Sequence, residues 1–300
     1  MSKEAWIEVR VFTPFGWEEL VAGVLSDANC LGAREGSSSP HPPALPPGTS
    51  LVRSHYRAAT DTPLRREEST DAISRLKDID EELNDLELSF RQLPAEDYAR
   101  SWKKVWHPFR CGKLAVVAPW TETTLREDDV RMELEPGGVF GTGRHATTRM
   151  ILRFLQERLV GGERVLDCGT GTGILAVAAS LFGAAEIAGF DIDEGSAAVA
   201  TELARRNGIT EGARFLEGDF SCIEELDAPY EVVLANLYSD ILVSHARDLE
   251  AALAPGGWLC VSGLNATREA AVKEALAAVG LKVIARRARG VWRSLLAERG

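Results

Sequence analysis

The run Asp167-Cys168-Gly169-Thr170-Gly171-Thr172-Gly173 constrains the chain more than any other feature. It follows a short apolar strand that begins at Val165, and it precedes an apolar helix over Ile174 to Phe182. A glycine-rich turn between a strand and a helix belongs to α/β folds, where ligands lie outside the carboxyl ends of parallel strands. The chain beyond it continues the alternation. EIAGFDID, ARFLEGDF, EVVLANLY and WLCVSGL read as strands. Helices are expected over Glu194 to Asn207, Leu242 to Leu253 and Thr267 to Val279. Pro255, Gly256 and Gly257 are read as the stop of the second of these. Such alternation predicts a mostly parallel sheet covered on both faces. LKVIARRA and VWRSLLAE have no helix between them, so they are expected as an antiparallel hairpin at the sheet's edge.

The first third reads differently. WIEVRVF alternates as a strand, and Gly16 to Ala28 has helical spacing of Trp17, Leu20, Val21, Val24 and Leu25. Ser37 to Gly48 is rich in serine and proline and is expected to be an exposed loop. SLVRSHYRA reads as a strand. Pro63 opens a helix expected to include Ile73, Leu76, Ile79, Leu83 and Leu86, and LELSFRQL closes as a strand. Strand, helix, strand, helix, strand predicts a small α+β module of the split βαβ, ferredoxin-like type. The expected organisation is an N-terminal domain over residues 1–93, a linker helix over 94–108 and an α/β domain over 109–300. KLAVVAPW stands near the start of that second domain.

Composition sets outer limits. Three hundred residues, 45% hydrophobic and 26% charged, suit two ordinary globular domains. No apolar run reaches the ~20 residues of a membrane span, and the N-terminus lacks the layout of a secretory signal. A cytoplasmic protein with no membrane association is expected. The five cysteines form no C-x-x-C pair and are odd in number, against a zinc knuckle or a disulfide framework. They read as small buried thiols, and no metal site is expected. The net charge of −11 disfavours direct reading of nucleic acid and would favour a basic partner.

Several residues carry candidate chemistry. Gly169, Gly171 and Gly173 remove side chains where backbone must approach a ligand. Their G-x-G-x-G spacing departs from the G-x-G-x-x-G of dinucleotide folds. Asp167 would repel a pyrophosphate. It suits a cofactor with a positively charged amino group, or it holds the loop by accepting N–H bonds. That charge logic favours S-adenosylmethionine over NAD. Asp191 ends the next strand and suits two ribose hydroxyls, which serves either cofactor. Asp219 is a candidate acceptor for an adenine amino group, with Phe220 to cover the ring. Asn236 can accept a hydrogen bond from an incoming amine and touch the cofactor's methionine part. Upstream lies Glu135-Pro-Gly-Gly-Val-Phe140-Gly141-Thr142-Gly143-Arg-His145-Ala-Thr147-Thr148. Thr147 or Thr148 would cap the following helix or bond a carboxylate. The glycines around Phe140 suit a closing flap. His145 reads as a structural histidine, with a base as the alternative.

EPGGVFGTGRHATT, VLDCGTGTGILAVAA, GFDID, VVLANLYSDIL and LAPGGWLCVSGL together resemble the PrmA family, which methylates ribosomal protein L11. PAEDYARSWKKVWHPFRCGKLAVVAPW is similar to that family's interdomain segment. The resemblance is specific from about Trp102 onward and poor before it, and Ser37 to Gly48 looks like an insertion. It implies a seven-stranded, Rossmann-like methyltransferase domain behind a small substrate-recognition domain. It further implies S-adenosylmethionine as cofactor and methylation of lysine ε-amino and N-terminal α-amino groups. By motif position, Thr148, Gly169, Asp191 and Asn236 would bind the cofactor, while Phe140, Gly141 and Thr142 shield the methyl donor. Asn236 is the expected catalytic residue, and a monomer is expected. The rival readings are a methyltransferase of another protein or small molecule, a non-catalytic ribosome-docking module and an NAD-dependent oxidoreductase.

Overall fold

The structure is a computed structural model that describes residues 5–14, 17–27, 31–35, 49–78, 83–93, 107–135 and 143–299. The chain divides into two compact units, Met1–Trp106 and His107–Gly300. The proline-rich segment 37–48, most of the 94–108 segment, Cys30 and the leader residues Phe140, Gly141 and Thr142 lie outside the described residues.

The first unit is a four-stranded antiparallel sheet in the order β2-β3-β1-β4. Its strands are β1 (Trp6–Pro14), β2 (Leu31–Glu35), β3 (Thr49–Arg57) and β4 (Glu87–Leu93), with α1 (Glu18–Asp27) and α2 (Pro63–Ser74) between them. Alternation dictates the packing, because successive strand side chains face opposite ways. Ile7, Val9 and Val11 join Val21, Leu25, Val52, Tyr56 and Ile73 in one buried cluster. Glu8 and Arg10 lie on the other face. The Arg10 guanidinium and His55 beside Glu8 hold its carboxyl at about 2, against the opposing effect of burial. Strand β2 was not expected from the sequence. The helix opened by Pro63 is also shorter than its apolar spacing suggested. Thr62 caps it by accepting from the Arg65 N–H at 3.2 Å, but it ends at Ser74 and tightens into a 3-10 turn over Arg75–Asp78. Leu83 and Leu86 are buried in the same cluster but lie outside this helix.

The second unit holds a seven-stranded sheet in the order β10-β9-β8-β11-β12-β14-β13. The parallel strands are β8 (Arg164–Cys168), β9 (Glu186–Asp191), β10 (Ala213–Glu217), β11 (Tyr230–Asn236) and β12 (Leu253–Asn265). The hairpin β13 (Leu281–Arg289) and β14 (Trp292–Arg299) is antiparallel, and β14 pairs with β12. Central strands buried on both faces explain the near-continuous apolar runs. Leu166, Val233, Leu259 and Leu295 lie in one core cluster with Leu242, Leu249, Val272 and Leu276. Helices α3 (Ala146–Arg158), α4 (Ile174–Leu181), α5 (Ser196–Arg206), α6 (Cys222–Glu225), α7 (Ser239–Ser244), α8 (Ala246–Ala251) and α9 (Glu269–Ala278) complete this unit.

Two expectations in this unit are corrected. The helix read over Leu242 to Leu253 is broken at His245, giving α7 and α8. Pro255 to Gly257 do not lie between helix and strand. Strand β12 already starts at Leu253, and its register against β11 jumps from Tyr230↔Leu253 to Val232↔Trp258. The extra residues are accommodated as a bulge within the ladder. A further small sheet, β5 (Phe109–Cys111), β6 (Leu114–Val117) and β7 (Val130–Glu133), was only partly legible, as KLAVVAPW. It is fastened to the helices through backbone groups. Gln156 accepts from the Lys113 N–H and donates to the Cys111 carbonyl, while Asn207 exchanges two hydrogen bonds with the backbone of Glu133. Cys111, Cys168, Cys222 and Cys260 are free and buried, as expected.

The strand order reverses between β8 and β11. The carboxyl ends of these neighbours face a crevice where open α/β sheets place ligands. The glycine turn follows one of them and Asn236 ends the other.

Candidate functional site

The glycine turn is held by its neighbours. The N–H groups of Gly169 and Thr170 both donate to the Phe190 carbonyl at the end of β9. The Gly171 N–H donates to Asp191 Oδ2 at 2.7 Å, and Asp191 Oδ1 accepts from the Asp193 N–H at 2.9 Å. Asp191 thus ties the turn to the strand end while keeping a lone pair on each oxygen. Gly169 has φ +74°, and a Cβ there would stand 2.3 Å from Leu237 Cδ2. At Gly173 an added Cβ would lie 2.8 Å from Ala200 on α5. Protein packing therefore accounts for two of the three glycines, whereas the sequence reading assigned all three to close approach of a ligand.

Asp167 is fully buried below the turn. Its Oδ2 accepts from the Thr170 hydroxyl at 2.9 Å, the Ala176 backbone N–H is directed at the carboxylate, and Oδ1 makes no hydrogen bond of good geometry among the described residues. Burial pushes its pKa up to about 7, the Thr170 hydroxyl and the Ala176 backbone N–H oppose this, and the nearby charge of Asp191 adds to it. A buried carboxylate with an unused oxygen is costly unless a donor or cation arrives. The amino group of an amino-acid-bearing cofactor is such a donor, so the donor set fits the expectation drawn from its charge.

Asn236 and Thr148 stand 88 positions apart in sequence and meet here. Asn236 Nδ2 donates to Thr148 Oγ1 at 3.3 Å. Thr148 is buried in the first turn of α3. The amide orientation matters chemically. With its NH2 committed to Thr148, the Asn236 carbonyl oxygen is left as an acceptor, and no hydrogen bond to it occurs among the described residues. Leu237 secures this end of β11. Its N–H donates to the Ser262 carbonyl at 3.1 Å, and its backbone carbonyl lies so near Gly263 that a Cβ there would be 2.3 Å away.

His145 is the N-cap of α3. Its Nδ1 lies 2.7 Å from Thr147 Oγ1 and accepts from the Thr147 N–H at 3.4 Å. Burial, with Arg289 adding, lowers its pKa to about 4. It is therefore neutral near pH 7 with Nδ1 engaged, which favours the structural reading over the base. Gly143, the last glycine of the leader, is seated against Ile174 and Phe109. Phe140, Gly141 and Thr142 lie outside the described residues.

Asp219 is exposed, and Ser221 holds its carboxyl below the usual range. Phe220 stacks face to face on His245 at 3.9 Å and meets Phe190 edge-on at 5.3 Å. One face of Phe220 is thus occupied by protein. Two residues missed by sequence reasoning flank the crevice. Ile192, 74% exposed, directly follows Asp191, and Tyr238, 49% exposed, lies two residues after Asn236. Both are large apolar groups left in water at strand ends, the kind of surface that suits the flat face of a base or an incoming side chain. The available signal was an apolar residue where a turn normally carries a polar one.

Comparison with known proteins places these features in context. The family described as "Ribosomal protein L11 methyltransferase (PrmA)" matches residues 5–300. The chain is 34% identical over 309 residues to a ribosomal protein L11 methyltransferase of Pelotomaculum thermopropionicum, covering 98% of each chain. A protein of the same name from Chloroflexus aurantiacus is 39% identical over 233 residues, covering 70% of this chain and 71% of that one. Among solved structures, a ribosomal protein L11 methylase from Lactobacillus delbrueckii subsp. bulgaricus superposes with a TM-score of 0.60 at 28% identity. It covers 65% of this chain and 99% of that one.

Proposed function

The chain belongs to the PrmA family of ribosomal protein L11 methyltransferases, and from that premise we propose that it transfers methyl groups from S-adenosylmethionine to amino groups of ribosomal protein L11. The acceptors in this reading are lysine ε-amino and N-terminal α-amino groups. The observation that carries it is the pairing of Asn236 with Thr148, which leaves an amide carbonyl free at the sheet's switch point.

The cofactor supplies a methyl group already activated by a positively charged sulfur. The protein's own task is then chiefly to orient and desolvate, effects that together are worth several orders of magnitude in favourable cases. Asp167 offers its unused carboxylate oxygen to the cationic amino group of the donor. Asp191 offers its remaining lone pairs to the ribose hydroxyls. Ile192 and Phe220 present apolar surface to the adenine, and Asp219 accepts from its amino group. Thr148, with the α3 N-terminus behind it, takes the donor's carboxylate. Phe140, Gly141 and Thr142 are assigned to shielding the donor from water.

A lysine amine has an unperturbed pKa of ~10.4 and must be neutral to attack. Among the described residues, no group near Asn236 is placed as a strong base, and His145 is engaged as a helix cap. Asn236 Oδ1 accepts one N–H of the neutral amine and aims its lone pair. The proton is lost to water before attack, helped by burial that disfavours the ammonium form. Residues 1–93 are assigned to recognition of the protein substrate as a ferredoxin-like domain, and the chain is taken to act as a cytoplasmic monomer.

The test is to incubate the purified chain with S-adenosylmethionine and unmethylated ribosomal protein L11, then map added methyl groups by mass spectrometry. Methyls on lysine and the N-terminal amine are expected. Methylation of a different protein in whole extract, with none on L11, would replace the substrate. No calorimetric heat with either S-adenosylmethionine or its demethylated product would remove the cofactor assignment.

A further inference from the structure

The C-terminal hairpin contributes a residue to the site's support that neither the glycine turn nor the leader motif accounts for. Trp292, the first residue of β14, packs with Ala146 and Met150 of α3 in a buried cluster. Its indole meets the His145 imidazole nearly at right angles, with ring centroids 4.8 Å apart and an interplanar angle of 75°. Edge-to-face pairs of this kind have a defined geometry, so the tryptophan fixes the plane of the imidazole as well as covering it. Trp292 is itself held in register, opposite Asn265 on β12 and Arg289 on β13.

The imidazole plane has a consequence one turn further along. His145 caps α3 through Nδ1, which engages both the backbone N–H and the hydroxyl of Thr147. Thr147 and Thr148 form the buried first turn of the helix, and Thr148 Oγ1 receives the Asn236 amide. The contacts run Trp292, His145, Thr147–Thr148, Asn236 without interruption. A histidine is not among the preferred N-cap residues, which are Ser, Thr, Asp and Asn. Its presence is explained by the second partner. A smaller cap would satisfy Thr147 but could not reach Trp292.

We infer that Trp292 and His145 form a positioning pair that sets the first turn of α3, and through Thr148 sets both the methyl-donor site and the orientation of Asn236. This rests on the methyltransferase reading above. The imidazole acts as a neutral acceptor, and neither residue touches the reacting atoms.

The experiment compares Trp292→Leu, Trp292→Phe, His145→Ala, His145→Asn and the double variant Trp292→Leu/His145→Ala in the full chain. Steady-state methylation of L11 gives KM for S-adenosylmethionine and kcat, and thermal melting is recorded alongside. Wild-type turnover is required first, and its absence would sink the methyltransferase reading rather than this one. With an active wild type, Trp292→Leu and His145→Ala are each expected to raise the donor KM by about tenfold. Trp292→Phe keeps an aromatic edge against His145 and is expected to retain most of the wild-type affinity, whereas His145→Asn keeps the cap but not the tryptophan contact and is expected to recover only part of the loss. The double variant should be no worse than about the poorer single one, because both act through the same turn. A donor KM within about twofold of wild type in folded Trp292→Leu or His145→Ala overturns the inference, whatever happens to the melting temperature. So does a double variant whose KM is the product of the two single effects. If Trp292→Leu does not fold, Trp292→Phe and the two His145 variants decide the question: a donor KM for His145→Asn equal to that of wild type shows that the cap acts without Trp292 and overturns the inference.

Discussion

At the scale of single residues the site turns on two polar groups with opposite histories. The half-exposed Asn236 side chain has one hydrogen-bond partner among the described residues, Thr148. Replacing it by alanine removes the proposed acceptor for the amine while leaving the glycine turn and Asp191 in place. Asn236→Ala should reduce kcat by about a hundredfold with a smaller effect on donor binding, a split read from methylation kinetics and calorimetry. Unchanged turnover at saturating donor would remove Asn236 from the mechanism. Asp167 is the opposite case, a carboxyl sealed beneath the turn with a pKa raised to about 7. The sign of its effect follows from linkage. The folded state without ligand holds this proton up to about pH 7, whereas the unfolded chain releases it near the ordinary carboxylate value. Between those two points the folded state binds more protons, so its stability falls as pH rises and levels off above about 7. Binding of a cationic amino group at Asp167, as proposed, would have the reverse dependence, because the ionised carboxylate would be its partner. Donor affinity should therefore increase from about pH 6 to about pH 8, and Asp167→Asn should flatten that dependence. Calorimetry across this range checks it, and a wild-type affinity that falls with pH would contradict the assignment.

At the scale of elements, the question is what makes a strand end reliable enough to carry chemistry. Leu237 answers it by fitting between the glycine turn and the end of β12, in space that exists only because Gly169 and Gly263 lack side chains. Gly263 has φ +88°, which other residues adopt at a cost, and a Cβ would collide with the Leu237 backbone rather than with a movable side-chain tip. Gly263→Ala should destabilise the protein by about 1–3 kcal/mol and displace Asn236, lowering kcat even at temperatures where the variant is fully folded. Denaturation curves together with kinetics test this, and a destabilised variant with normal kcat would show that Leu237 does not transmit its position. The same elements show what could be read in advance. The strands and helices around the glycine turn were legible because each carries a clear period with glycine or aspartate at its end. β5 to β7 were not, because strands of three or four residues are too short to display alternation. The break at His245 was hidden because apolar spacing continues through it. The contact between Thr148 and Asn236 was invisible for another reason. Each residue was singled out locally, but a partner 88 positions away is fixed only by the sheet order.

At the scale of the whole molecule, the proposed function divides chemistry and recognition between separate parts of the chain. Every residue assigned to the donor and to the amine lies in the leader, the glycine turn or the strand ends of the His107–Gly300 unit. That unit has its own extensive apolar core, in which Leu166, Val233, Leu259 and Leu295 line the sheet. The first unit buries a separate cluster around Val9, Val21, Val52 and Tyr56. A chain reduced to residues 107–300 should accordingly melt cooperatively and bind S-adenosylmethionine with an affinity within about threefold of the full chain. Its methylation of ribosomal protein L11 should fall by about a hundredfold or more in kcat/KM if residues 1–93 position the substrate as proposed. Circular dichroism and calorimetry establish the first half, and methylation of L11 the second. A shortened chain that folds, binds the donor and still methylates L11 at the full rate would take recognition away from residues 1–93. It would transfer that role to the exposed apolar groups beside the crevice, Ile192 and Tyr238, whose substitution by serine would then have to remove it.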